Sequence, residues 1–106
     1  LTAPEDPRAA GAGADLVIGH HAHVPQGVQF RSGVPICYSL GNFVFWQETD
    51  LFYRKQGYLV KAGVSQRGLS HIEILPYEIG SGSLRLLKGP ESESFFEALK
   101  RVSLPL

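Results

Sequence analysis

Methionine is absent from the 106 residues, cysteine and tryptophan occur once each, and ten acidic residues cancel ten basic ones. A lone Cys37 cannot close an internal disulfide, which excludes a disulfide scaffold. Zero formal net charge removes the electrostatic case for a nucleic-acid partner or an anionic membrane surface. The basic residues are scattered, and the pairs Arg54-Lys55 and Lys100-Arg101 are ordinary. No apolar run approaches the ~18 residues of a membrane span, and no basic-then-apolar leader is present. With Leu1 first and no Met anywhere, the numbering is expected to begin inside a longer gene product. What is there suffices for one small domain. The 43% hydrophobic content excludes a disordered tail, and a chain of this length buries roughly 65% of its unfolded surface.

Residues 1–14 hold two prolines and read as a loop, with a weak helix over Arg8–Ala12. Leu16-Val17-Ile18, stopped by Gly19, reads as a strand covered on both faces, as in a parallel or mixed sheet. Val28–Phe30, the turn Arg31-Ser32-Gly33 and Val34–Leu40 follow as a meander. Phe43–Trp46 is an apolar aromatic run, and residues 47–56 form a polar loop. Tyr58–Val64 and Leu69–Leu75 read as strands joined by a hairpin at Ser65–Gly68, with a further strand-like run at Leu84–Leu87. The last segment is a helix: Ser94 and Glu97 match a capping box, while Phe95, Leu99 and Val102 share a face. The fold class is therefore α/β, rich in strands, with a closing C-terminal helix.

Three of the four histidines lie in one pentapeptide, Gly19-His20-His21-Ala22-His23, directly after the first strand. Neutral imidazole is the commonest metal ligand, and α/β folds place ligands at the ends of buried strands. If the segment is extended, His21 and His23 point to one side with Cα atoms roughly 7 Å apart. They can then grip one metal or hold two adjacent ones, while His20 faces elsewhere to orient a substrate or move a proton. The plain alternative is a chance cluster of surface histidines, and the two readings stand about level. His71, alone in a strand, reads as structural.

Carboxylates are what this cluster lacks. Between Leu16 and Gln47 the only charged residue among Asp, Glu, Lys and Arg is Arg31. A dinuclear hydrolytic centre, with cations about 3.5–4 Å apart, needs bridging carboxylate oxygens. Asp15 is expected at the opposite end of the strand, and Asp50 has no motif around it. Any metal site here is therefore partial.

Tyr38-Ser39-Leu40-Gly41-Asn42-Phe43 interrupts an apolar strand with small polar groups. Ser39 and Asn42 are candidate hydrogen-bonding residues near the histidine loop, although a plain turn at Gly41-Asn42 is the better reading of the residues alone. Ser39 lacks the setting of a nucleophilic serine, Cys37 reads as a core residue, and no glycine-rich phosphate loop opens a helix.

Together, Gly13-Ala14-Asp15-Leu16-Val17-Ile18-Gly19-His20-His21-Ala22-His23-Val24 and Tyr38-Ser39-Leu40-Gly41-Asn42-Phe43-Val44-Phe45 resemble the CapA family. These are bacterial capsule and poly-gamma-glutamate synthesis proteins with a calcineurin-like metallophosphoesterase fold. The resemblance implies that residues 1–106 are the C-terminal portion of a four-layer α/β sandwich, a single domain whose N-terminal portion is a required partner. It implies His21 and His23 as metal ligands, by a match to His-x-His-Val-Pro, and His20 as the catalytic candidate. A match taken from Gly19 would assign His20 first. It also implies Ser39 and Asn42 as substrate-binding or supporting residues, and two divalent ions, Mn, Fe or Zn. The chain departs from the family pattern at Ala22, usually Pro, and at Trp46, where a small or acidic residue is frequent.

Two functions compete on this basis, beside a third, plain reading in which the isolated residues 1–106 are a truncated structural domain without function alone. One is a metal-dependent hydrolase of the phosphoesterase type, acting on an anionic cell-envelope polymer or its precursor. The other is a non-catalytic component of the same fold that binds or exports the polymer. The compartment, cell envelope or cytoplasm, stays open.

Overall fold

The computed structural model describes residues 11–43 and 52–104. It is a small mixed α/β structure with two three-stranded sheets and a C-terminal helix. The first sheet contains β1 (Val17–Ile18), β2 (Val28–Arg31) and β3 (Val34–Cys37), in the order β1-β3-β2. β1 runs parallel to β3, and β2 runs antiparallel to it. Ser32 and Gly33 turn the β2–β3 hairpin with φ of 51° and 78°. Positive φ at both central residues is what a two-residue turn needs to follow the right-handed twist of its strands.

The second sheet contains β4 (Gln56–Ser65), β5 (Gly68–Gly80) and β6 (Ser83–Leu86), joined consecutively in antiparallel fashion. A register shift after Gly63 leaves Ser70 as an extra residue, and its Oγ donates to the Gly63 carbonyl at 3.0 Å. A 3₁₀ turn, Phe52–Lys55, leads into β4. The helix α1 (Gly89–Ser103) closes the described chain.

Several expected boundaries move. β5 continues through Pro76 to Gly80, although Pro carries no N–H for a ladder. Pro76 stands opposite Tyr58, whose N–H goes to the Leu40 carbonyl at 3.0 Å instead. On the other side β6 has ended at Leu86, and the Pro76 carbonyl accepts from Leu87 N at 2.9 Å. The missing donor is thus tolerated. α1 begins at Gly89 with Pro90 in its first turn, so Ser94 and Glu97 lie inside the helix and form no capping box. Its start is tied down by Arg85, whose guanidinium reaches both Glu91 oxygens, at 3.1 and 2.8 Å, and also Glu78. β3 stops at Cys37 rather than Leu40, but the chain stays bonded to the 24–27 loop: Gln26 N donates to Ser39 O at 3.0 Å. Ile18 is 42% exposed, so the described residues do not cover β1 on both faces. Most of the Phe43–Trp46 run, the first part of the 47–56 loop and Arg8–Ala10 lie outside the described residues.

The core joins both sheets to the helix. Cys37, Tyr58, Leu87, Phe95 and Leu99 form its buried centre, with Val28, Leu40, Val60 and Ile74 packed against it. Tyr58 meets Phe95 edge to face at 6.0 Å, a geometry that favours the ring quadrupoles. Val102, expected on the same face, is 49% exposed. Ser103 ties the helix end to β2, because its Oγ accepts from Val28 N at 2.9 Å and donates to Leu99 O at 2.7 Å.

Burial pushes the Cys37 thiol and the Tyr58 phenol upward, and lifts Tyr77 from 10.0 to about 12. Tyr58 Oη is buried beside the Cys37 thiol, so ionising it in place loses solvation and adds charge next to a group that itself ionises at alkaline pH. A raised folded-state pKa gives stability that is complete below the unfolded value and is lost as pH rises towards the folded one. The denaturation midpoint of the complete protein is therefore expected to hold to about pH 8 and to fall from about pH 9, where the unfolded thiol ionises, through about pH 12, as the unfolded phenols follow. Tyr58→Phe should shrink that fall while changing stability at neutral pH by less than about 1 kcal/mol. An unchanged alkaline loss in Tyr58→Phe would remove Tyr58 from this account.

Candidate functional site

β1 delivers the chain into the histidine loop, and hydrogen bonds at its mouth fix where that loop begins. Gly19 N donates to Cys37 O at 2.7 Å, and Leu40 N donates to Gly19 O at 3.3 Å. Past Gly19 the backbone departs from the extended form expected of it. His21 and His23 have φ of 89° and 63°, in the left-handed region that side chains other than glycine's disfavour. The alternation of an extended strand therefore does not describe this segment. His21 and His23 nonetheless stay neighbours, with ring centroids 6.5 Å apart and planes tilted by 39°. His20, His21 and His23 are all exposed, while Ala22 is buried beneath them. Strain of this kind costs of order 1–3 kcal/mol and persists where its surroundings enforce it.

The contacts that hold the end of this loop, at His23 and Val24, come from the Ser39–Asn42 segment. Ser39 is 1% exposed; its Oγ donates to Val24 O at 2.8 Å and accepts from Gly41 N at 3.3 Å. It thereby ties the end of the histidine loop to the turn. Asn42, 6% exposed, faces His23: its Oδ1 lies 2.8 Å from His23 Nδ1. Its Nδ2 donates to the Arg54 carbonyl at 3.0 Å. A carbonyl can only accept, so this second bond decides which way the Asn42 amide points. Oδ1 must then accept from His23, which places a proton on Nδ1. In neutral His23 the lone pair is consequently on Nε2. This is the tautomer a metal ligand needs, with a hydrogen bond fixing the ring from behind.

Two glycines let the sheets approach closely at this point. Gly41 has φ of 83°, and a Cβ there would lie 2.7 Å from Gln56 O. A Cβ on Gly57 would lie 2.6 Å from Asn42 O and 2.7 Å from Leu40 O. Gly41 was legible as a turn residue. Gly57 sits in a strand, and nothing in its neighbours announces the contact. The other missed participant is Arg54, whose contribution is a main-chain carbonyl and so leaves no mark on residue type.

Among the described residues no group of three or more His, Cys, Asp or Glu gathers as a metal shell. Asp15 offers no help: its Oδ1 lies against Gly68, at the turn between β4 and β5. Asp50 is outside the described residues. The described residues thus bring two imidazoles together, His23 with its Nδ1 against Asn42 and His21 beside it, without a third ligand type. His71 is exposed in β5, with its Nδ1 3.0 Å from Ser70 Oγ.

Residues 7–47, which contain both the histidine loop and the Ser39–Asn42 segment, match the family described as bacterial capsule synthesis protein PGA_cap. The CapA-family resemblance is borne out. The PGA biosynthesis protein CapA of Bacillus subtilis (strain 168) is 38% identical over 71 residues, 64% of this chain. The capsule biosynthesis protein CapA of Bacillus anthracis is 40% identical over 76 residues, 68% of this chain. In each case the aligned part is only 17% of the CapA relative. No helix among the described residues is long and apolar enough to cross a membrane.

Proposed function

We propose that this chain supplies the late histidine part of a metal-dependent, phosphoesterase-like centre in a protein of capsule or poly-gamma-glutamate biosynthesis. In this reading residues 1–106 are the C-terminal portion of one CapA-like domain, a four-layer α/β sandwich of metallophosphoesterase type. The rest of that domain contributes the carboxylates that the histidine loop lacks. His21 and His23 hold one or both of two divalent ions, Mn, Fe or Zn, and His20 orients substrate or moves a proton. Ser39 and Asn42 support them. Such ions supply Lewis-acid stabilisation at a phosphoryl centre and activate water. The substrate is an anionic cell-envelope polymer or its precursor, in keeping with the names of the CapA relatives.

One observation carries the reading. Asn42, locked by the Arg54 carbonyl, holds His23 with its proton on Nδ1 and its lone pair on Nε2. A hydrogen-bond acceptor set behind an imidazole is what fixes the tautomer and ring orientation of metal-ligating histidines.

The test is elemental analysis of the complete protein together with hydrolysis of bis(p-nitrophenyl) phosphate. Metal is expected to copurify, hydrolysis to disappear on chelation, and both to return when Mn or Zn is restored. Absence of metal and turnover, with poly-gamma-glutamate still bound, would overturn the enzyme and assign the binding and assembly role instead.

A further inference from the structure

We propose that Arg54 anchors an anionic group of the substrate, a phosphate or a carboxylate, beside the histidine loop. The proposal rests on the reading of that loop as a ligand site. Arg54 lies on the 3₁₀ turn before β4 and is half-buried. Its Nε is buried and makes no hydrogen bond. No ion pair or side-chain hydrogen bond reaches its guanidinium from the described residues. A buried donor on a permanent cation, left without an acceptor, is costly, and native structures rarely keep one without a use.

The location suggests the use. The Arg54 carbonyl lies 3.0 Å from Asn42 Nδ2, and the other end of that amide lies 2.8 Å from His23 Nδ1. One hydrogen-bonded residue therefore separates Arg54 from the metal-ligand candidate. The histidine loop and its supporting turn contain no acidic residue; Glu48 and Asp50, which precede Arg54 in sequence, lie outside the described residues. Guanidinium is a planar fork of donors suited to two oxygens of one carboxylate or phosphate, and it stays charged at any working pH. A chain with zero net charge thus still offers, among its described residues, a cation without a side-chain partner on the residue whose carbonyl holds Asn42 behind His23.

The experiment uses the complete protein, with Arg54→Gln, Arg54→Lys and, as a control, Arg31→Gln on the exposed end of β2. Titration calorimetry with inorganic phosphate and with glutarate reads the two anion types separately. Arg54→Gln is expected to weaken binding of at least one of them about 10- to 100-fold, the range for a charged hydrogen bond. Arg54→Lys should recover only part, and Arg31→Gln should match wild type. Loss confined to phosphate identifies a phosphoryl group; loss confined to glutarate identifies a polymer carboxylate. The melting temperature of Arg54→Gln should not fall. Unchanged binding with a lowered melting temperature would overturn the proposal and make Arg54 the partner of a carboxylate within the protein. Failure of wild type to bind either anion, or equal binding by Arg54→Gln, would overturn it too. Metal analysis of the same samples separates the readings: anion binding that depends on Arg54 in a metal-free wild type would sink the metal centre alone.

Discussion

Gly57→Val is expected to destabilise the protein by about 3 kcal/mol, read as a lowered urea midpoint, and to disturb the histidine site with it. A Cβ at position 57 would lie 2.5 Å from Tyr77 Oη, 2.6 Å from Asn42 O and 2.7 Å from Leu40 O. Two of these atoms are backbone, and all three are already committed. Leu40 O accepts from Tyr58 N at 3.0 Å, and Tyr77 Oη donates to Asn42 O at 2.5 Å. The Tyr77 ring is itself braced edge-on by Phe43, with centroids 5.6 Å apart. Relief therefore requires parting the two sheets where Gly41 and Gly57 bridge them. Gly57→Ala already carries the offending atom and should show most of the loss. Gly11→Ala, with open space around it, should show almost none. An alanine at both positions with equal, small effects would refute the close-approach account.

The fold was legible where local chemistry decides it. Ser32-Gly33 turns because it accepts positive φ at both residues, and the β4–β5 hairpin turns inside the expected Ser65–Gly68. Phe95 and Leu99 are buried on one helix face, as their spacing implied. Where long-range partners decide, the sequence was misleading. Pro76 reads as a strand end, yet Tyr58 bonds across to Leu40 and removes the demand on it. Ser94 reads as a cap, yet Pro90 and the Arg85–Glu91 pair start the helix a turn earlier.

The site divides the same way. Three histidines beside a glycine at a strand end are visible as a pattern, because residue type is the signal. Their backbone is not: His21 and His23 both have positive φ, and His23 is held by Asn42, nineteen positions away. Asn42 could be named as a candidate but not oriented, since its direction is set by a carbonyl that any residue at position 54 would carry. Zero net charge gave no pointer to Arg54, because a sum over the chain does not say which cation, among the described residues, has a buried Nε without a hydrogen bond.

His23→Gly is expected to release bound metal while unfolding at a higher denaturant concentration than His23→Ala. Both substitutions remove the imidazole and its bond to Asn42, so the comparison cancels those losses. What differs is the backbone: φ of 63° is strained for alanine and ordinary for glycine, a difference of about 1 kcal/mol. Natural His23 carries the same backbone penalty, which makes sense if its ring is needed at that spot. Asn42→Leu separates orientation from ligation. It keeps His23 but leaves the Arg54 carbonyl without its donor and His23 Nδ1 without its acceptor, so either nitrogen can take the proton. Metal affinity should fall about 10- to 100-fold, the usual effect of losing a residue that orients a ligand from behind. Equilibrium dialysis against Zn or Mn orders the three proteins: wild type tightest, Asn42→Leu intermediate, His23→Gly weakest. Retention of metal by His23→Gly at the wild-type level would remove His23 from the ligand set and leave its strained backbone to be explained by packing.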